Sequence, residues 1–341
     1  MPKDNENIRL PFTGPIEPSE PLGFSADQMI RCDECLRANP PTRVACLYCS
    51  AALPLTETSA RLRKPLLRPP EKHQTAYNNI LLPTDFEVPA EVVAEVAELL
   101  KLSVENLQRI LAENVPLPVA CTASREEADL VFNRMRDAGL QTVTLSDDDL
   151  VASETSVKRI KSMSINDDSV TLQQAGTRDQ TEVRWQDLIL IVTGRLFVRR
   201  VEIQERKTRR AENEIVRSSE FSSDEALIDF YTAGDAQTWR VSANGFDFSC
   251  LDKKKTLIAN ENISRLREVF ETNAPHAIVD NSYKRLRHIL DLVWGPQQET
   301  KSSGWRRERP GKLSIGLATI NSNENQFTRY SRLRRYFCVN N

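Results

Sequence analysis

Apolar positions recur at helical spacing through the first half of the chain and at strand spacing after it. Val92, Val93, Val96, Leu99 and Leu100 fall on one face of a helix spanning Ala90 to Lys101. A second helix follows from Val104 to Ala112, with Leu107, Ile110 and Leu111 inward. Pro116 to Cys121 reads as a strand. Ser124 and Glu127 form an S-x-x-E capping box ahead of an apolar stripe at Ala128, Val131, Phe132 and Met135. Gly139 supplies a left-handed stop, and Gln141 to Ser146 alternates as a half-buried strand. With the apolar run Ile80 to Leu82 in front, the order β-α-α-β-α-β predicts a small α/β sandwich over residues 77–152.

From Val157 the period changes to two. VKRIKSMSI and SVTLQQA are joined by the turn residues Asn166, Asp167 and Asp168, and TEVRW, LILIVTGRLFVRRVEI, ALIDFYTA, TWRVSA and FDFSC follow. Asn244-Gly245 marks a hairpin between the last two. Residues 199–217 are dense in charge and read as an exposed strand end entering a mobile loop. Asp224 and Glu225, preceded by Ser222-Ser223, read as a helix or turn cap. Helices return at Asn262, with Ile263, Leu266, Val269 and Phe270 inward, and again after Asp280, halted by Gly295-Pro296. These signals predict an antiparallel β domain with C-terminal helices over residues 156–296. Its element order resembles that of pleckstrin-homology-like domains, which implies a curled sheet plugged by a helix. Residues 297–341 then read as a basic C-terminal strand and tail.

The front of the chain lacks periodicity. Residues 1–28 are rich in proline, glycine and polar side chains, which predicts a disordered leader, and residues 55–76 mix prolines with basic residues as a linker does. The fold class expected is therefore α+β and multidomain. Net charge is −2, so nothing draws the whole chain to nucleic acid or to an anionic membrane. That balance hides an asymmetry: Asp85 to Glu154 holds 15 acidic and 5 basic residues, Lys301 to Asn341 holds 9 basic and 2 acidic. The two segments see different surroundings, or each other. The start of the chain has no apolar signal core and no segment is long enough to span a bilayer, so a cytoplasmic protein is expected.

Seven cysteines in such a compartment read as metal ligands and leftovers rather than disulfides. Four of them, Cys32, Cys35, Cys46 and Cys49, follow the pattern Cys-x2-Cys-x10-Cys-x2-Cys. Two residues between thiolates make a tight turn that lets both sulfurs reach one ion, and two such knuckles complete a tetrahedron; the expected cofactor is zinc. Residues 29–54 resemble two families. One is the bacterial zinc ribbon. The other is the Ran-binding-protein-type finger, whose spacing Cys-x2-Cys-x3-Asn-x6-Cys-x2-Cys is matched through Asn39, which the resemblance implies hydrogen-bonds across the knuckles. That finger's tryptophan position, two before the first cysteine, is Ile30 here, which removes the ring its nucleic-acid-reading members stack on bases. The plain zinc-ribbon reading is therefore preferred.

No residues assemble into catalytic machinery. His73, His276 and His288 lack a patterned partner, and no nucleophile elbow or phosphate-binding glycine loop is present. Asp147, Asp148 and Asp149 read as a solvated acidic turn, and Cys121 and Cys250 as buried strand thiols. A non-enzyme without a small-molecule substrate or membrane partner is expected, acting through protein–protein binding. The alternative is single-stranded RNA or DNA binding through the ribbon and the aromatic-basic C-terminus, Arg329, Tyr330, Arg332, Arg334, Arg335 and Tyr336. The same alternation also describes a half-buried strand with a charged face.

Overall fold

The structure, a computed structural model, describes residues 23–54, 56, 59, 65, 67, 75–151, 157–208, 214–234, 237–309 and 312–340. The expected leader up to residue 22, most of the expected linker and residues 209–213 of the expected mobile loop lie outside them. The chain divides into two compact units, Met1–Lys64 and Pro65–Asn341.

In the first unit, β1 (Ile30–Arg31) pairs antiparallel with β2 (Ala38–Asn39), and Ala45 bridges Ala52. Among the described residues its hydrophobic cluster is formed by the buried Ile30, Leu53, Cys32 and Cys46. So few side chains cannot offset the entropy of ordering the segment. Something other than apolar burial holds it.

The second unit begins with a three-stranded sheet in the order β4-β3-β5, built from β3 (Tyr77–Leu81), β4 (Leu117–Thr122) and β5 (Thr142–Ser146), with both pairings antiparallel. Helices α1 (Ala90–Leu100), α2 (Val104–Ala112) and α3 (Arg125–Asp137) connect the strands where the apolar stripes predict them. Ser124 caps α3 by accepting the Glu127 N–H at 3.3 Å, and Gly139 takes φ +79°. The three aspartates form the short helix α4 (Asp147–Val151) rather than an open turn.

The remaining strands make one large mixed sheet. They are β6 (Lys158–Ile165), β7 (Ser169–Gln174), β8 (Gln180–Arg184), β9 (Leu188–Thr208), β10 (Glu214–Thr232), β11 (Trp239–Ser242), β12 (Ile278–Asp280), β13 (Gln297–Arg309) and β14 (Lys312–Ser322). Their order is β13-β14-β9-β10-β11-β6-β7-β8, with β12 also beside β9. β9 carries the sheet: β10 pairs along one edge, while β12 and β14 share the other at residues 190–192 and 198–208. The charge-dense stretch continues as strand because its charges pair across it. Arg199 reaches Glu220 at 2.7 and 3.1 Å, and Arg195 reaches Asp224 at 3.0 Å. Asp224 and Glu225 lie inside β10 rather than ahead of a helix; Glu225 nonetheless accepts the Asn244 N–H of the turn after β11 at 2.9 Å. FDFSC forms a 3-10 turn over Phe248–Lys254 in place of the expected strand.

Both faces of the sheet's central part are covered. On one, Ile191, Ile228, Phe230, Trp239 and Val241 pack against Ile263, Leu266 and Phe270 of α5 (Ala259–Asn273). On the other, Leu190, Val192, Leu196, Leu227 and Tyr231 meet α6 (Tyr283–Leu290) and α7 (Glu324–Asn340). This second core runs on without interruption into Val96, Leu107, Leu117, Val119 and Val131 of the three-stranded part. Trp294 ties the two parts by donating its indole N–H to Asn78 at 2.8 Å.

The segment FTRYSRLRRYF is α7, a helix and not a strand. Phe327, Tyr330 and Leu333 recur every third residue and are fully buried, each adding roughly 1.5–3 kcal/mol. The helix lies close because β9 offers Gly194 beneath it: a Cβ there would sit 2.2 Å from the Phe327 ring. Asn323 joins the helix start to β9, accepting the Phe197 N–H at 2.7 Å and donating to the Arg195 carbonyl at 3.0 Å. Beneath α7, Arg240 and Asp229 form a bidentate pair at 2.7 and 2.8 Å, exposed by 1% and 0%. Arg240 also donates to Thr328 at 3.0 Å and Glu324 at 3.2 Å.

Two substitutions test this arrangement by denaturant unfolding followed through tryptophan fluorescence. Gly194→Ala pushes Phe327 off its seat, for an expected loss of about 1–3 kcal/mol. Asp229→Ala strands the Arg240 guanidinium without its buried partner, for an expected loss of about 3–5 kcal/mol.

Candidate metal centre

Two tight turns of the same build bring the four cysteines together. In the first, the Leu36 N–H donates to the Cys32 carbonyl at 2.9 Å and the Cys32 N–H to the Arg37 carbonyl at 3.0 Å. In the second, the Ser50 N–H donates to the Cys46 carbonyl at 3.0 Å and the Cys46 N–H to the Ala51 carbonyl at 2.8 Å. Each turn closes on a residue with left-handed backbone directly after its second cysteine: Leu36 with φ 59° and Ser50 with φ 61°. Neither is glycine, so each position costs on the order of 1 kcal/mol. The two knuckles repeat each other in hydrogen bonds and in strain.

The ligand atoms of the four cysteines all lie within 4.8 Å of one another. Cys32 and Cys49 sulfurs are 3.6 Å apart, and those of Cys35 and Cys46 are 3.5 Å apart. These are not disulfide distances, which are about 2.05 Å. They approach the ~3.8 Å edge of a tetrahedron whose sulfurs stand ~2.3 Å from a central ion. Four cysteines are thus close enough to bind one metal ion.

The surroundings suit thiolates. The Cys46 sulfur accepts the Tyr48 N–H at 3.4 Å and the Asn39 amide at 3.5 Å. Burial opposes ionisation of Cys46, but these donors outweigh it and the thiol is lowered to about 6. At Cys49 the Ala51 N–H favours the thiolate, yet burial and the sulfurs of Cys35, Cys32 and Cys46 prevail and push it up to about 12. The opposed shifts reflect four sulfurs sharing one small space, a repulsion that a bound cation would relieve. Asn39 is fully buried and spans both knuckles, donating to the Arg37 carbonyl at 2.9 Å and accepting the Leu47 N–H at 2.8 Å. Ile30 packs with Leu53 and the inner cysteines, 7% exposed.

The six C-terminal residues considered for nucleic acid are brought together on α7, and none is exposed. Tyr330 is fully buried and donates its hydroxyl to Asp280 at 3.0 Å. Arg334 pairs with Asp280 and Arg329 with Asp147, both at 2.5 Å. The Arg335 guanidinium stands 5.9 Å from the Tyr231 ring centre, and the Tyr336 ring packs edge-on against Phe337. Burial lowers the Arg332 guanidinium from its usual range. The basic end and the acidic middle thus meet at Arg329 and Asp147.

A cleft of about 480 Å³ lies beside this contact, lined by Leu100, Val119, Cys121, Trp294, Asn325 and Arg329 among others. Burial pushes the Cys121 thiol up to about 11, away from nucleophilic use. The sequence motif found the four ligands but not the side chains that the knuckles leave outside: Leu36, Leu47 and Tyr48 are 63%, 51% and 57% exposed. Their only sequence signal is position, next to cysteines whose own side chains must turn inward. No protein-family model, curated protein or solved structure matches the chain.

Because protons and metal compete for the same sulfurs, metal affinity falls as pH is lowered and is regained as pH rises. Elemental analysis after dialysis should find about one metal ion per chain at neutral pH and progressively less through the acid range. Cys35→Ser should lose the metal and the order of residues 29–54. The melting of the Pro65–Asn341 unit should stay unchanged, since it is a separate compact unit.

Proposed function

We propose that the chain is a non-catalytic, cytoplasmic protein-binding protein whose zinc-held front module docks on a partner protein. The observation that carries this reading is the exposed patch of Leu36, Leu47 and Tyr48, with the Arg37 guanidinium 4.7 Å over the Tyr48 ring. Both knuckles contribute to it, so the metal that closes the cluster also presents the patch. An aromatic and an arginine beside aliphatic side chains are the residue types that carry binding energy at protein interfaces.

Zinc is the metal proposed, since four thiolates in two knuckles suit its tetrahedral preference. Such a site is closed: all four positions belong to the protein, leaving none for a substrate. Metal binding would supply folding free energy on the order of 10 kcal/mol. The high Cys121 thiol and the pairing of Arg329 with Asp147 favour a cleft without chemistry.

Single-stranded nucleic acid as the ligand has less support. That reading asks α7 to offer arginines and aromatic rings to phosphates and bases, yet Arg329, Tyr330 and Arg334 are engaged within the fold.

Leu36→Gly combined with Tyr48→Ala tests the proposal. Glycine relieves the left-handed backbone at Leu36, so metal content and module order should be kept. Proteins captured from lysate by the wild-type chain should fall about tenfold or more with the variant. Equal capture by both chains would remove the patch as the docking surface.

A further inference from the structure

The most exposed large apolar side chain among the described residues lies far from the cysteine module in sequence. Leu257 is 104% exposed and its neighbour Ile258 is 55% exposed. They follow Lys253, Lys254 and Lys255, all of them exposed. The segment is the turn between the 3-10 stretch and α5. A leucine immediately before a helix often packs back onto the first turn, but the residue it would meet there is the polar, buried Asn262. Leu257 therefore serves no staple.

The turn is held firmly. Asn262 accepts the Thr256 N–H at 2.7 Å and donates to the Thr256 carbonyl at 2.8 Å. The Thr256 hydroxyl and the Ile258 backbone are also within hydrogen-bonding distance, at 3.3 and 3.4 Å. Arg265 donates to the Lys254 carbonyl, and Lys255 N–H reaches the Asp252 carbonyl at 3.1 Å. Phe248 and Leu251 anchor the preceding stretch in the core. With Thr256 and Ile258 both fixed, Leu257 is presented outward between them.

We propose that the Lys253–Ile258 tip contacts an anionic lipid surface, with Leu257 and Ile258 entering the interfacial layer and the three lysines meeting headgroup phosphates. An outward apolar pair preceded by three exposed amines matches an anionic bilayer surface, which is fluid enough to take up a lone projecting side chain and carries the phosphates the amines would meet. The pairing of buried aliphatic side chains with flanking lysines is the arrangement that holds proteins at such surfaces. Asp252 adjoins the lysines, Glu261 lies in the first turn of α5, and both are exposed. Asp247 is engaged by the Ser249 N–H at 3.0 Å and by Lys255 at 3.9 Å. The chain's net charge of −2 makes the attraction local to the tip, weak and dependent on salt.

The full chain is mixed with phosphatidylcholine vesicles, with and without about 30% phosphatidylserine, at low ionic strength and sedimented. The expected result is binding to the phosphatidylserine vesicles only, reduced about tenfold in Leu257→Ser/Ile258→Ser and again in Lys253→Glu/Lys254→Glu, and lost in high salt. These side chains are exposed, so the variants should melt as the wild type does. In Leu257→Trp the added emission should shift to the blue with phosphatidylserine vesicles, reporting entry into the bilayer. No sedimentation of the wild type, binding that ignores Leu257 and Ile258, or an unshifted Leu257→Trp would each overturn the proposal. Equal retention by soluble polyglutamate, independent of Leu257, would reassign the lysines to an acidic protein and overturn it as well.

Discussion

The seating of α7 on β9 organises the larger unit. β9 is the strand on which β10, β12 and β14 all pair, and α7 lies on it at the one position where a side chain would intrude, Gly194. The contact is apolar at its centre and polar at its margins. Asp280, on β12, gathers the Tyr330 hydroxyl, the Arg334 guanidinium and the Ser282 N–H at 2.8 Å. Arg240 gathers Asp229, Thr328 and Glu324 from the sheet and the helix. Beneath α7 the buried carboxylates Asp229 and Asp280 are each met by an arginine, as the low dielectric of the interior favours.

The small unit has the opposite economy. Its apolar core is four residues, and its two knuckles hold leucine and serine in left-handed backbone. A cation among its sulfurs would add the stability that so few buried side chains leave out. The same geometry that turns the sulfurs inward leaves Leu36, Leu47 and Tyr48 on the outside. The gathering of four sulfurs and the presentation of an apolar surface are two results of one chain path.

Local rules made the first half of the chain legible. The stripes of α1, α2 and α3, the Ser124 cap and the Gly139 stop all act within a few residues of themselves, so their sequence signals carry their structure. The cysteine spacing is legible for the same reason. What could not be read depends on partners far away. In α7 the arginines suggest an exposed face until Arg329 is matched with Asp147, 182 positions earlier, and Arg334 with Asp280. Phe327, Tyr330 and Leu333 at intervals of three were the helical signal that the alternation of rings and charges concealed. Likewise the charges of β9 suggested an exposed strand end, and the pairing of Arg199 with Glu220 and Arg195 with Asp224 across the ladder lies in residues distant in sequence. The exposed surfaces were invisible for a further reason: exposure belongs to the fold and has no residue code.

The central claim is that Cys32, Cys35, Cys46 and Cys49 together enclose one zinc ion. X-ray absorption at the zinc edge on the purified full chain tests it most directly. The account predicts a single shell of four sulfurs at about 2.3 Å. A shell containing nitrogen or oxygen at about 2.0 Å, or no bound zinc in the reduced protein, would contradict it.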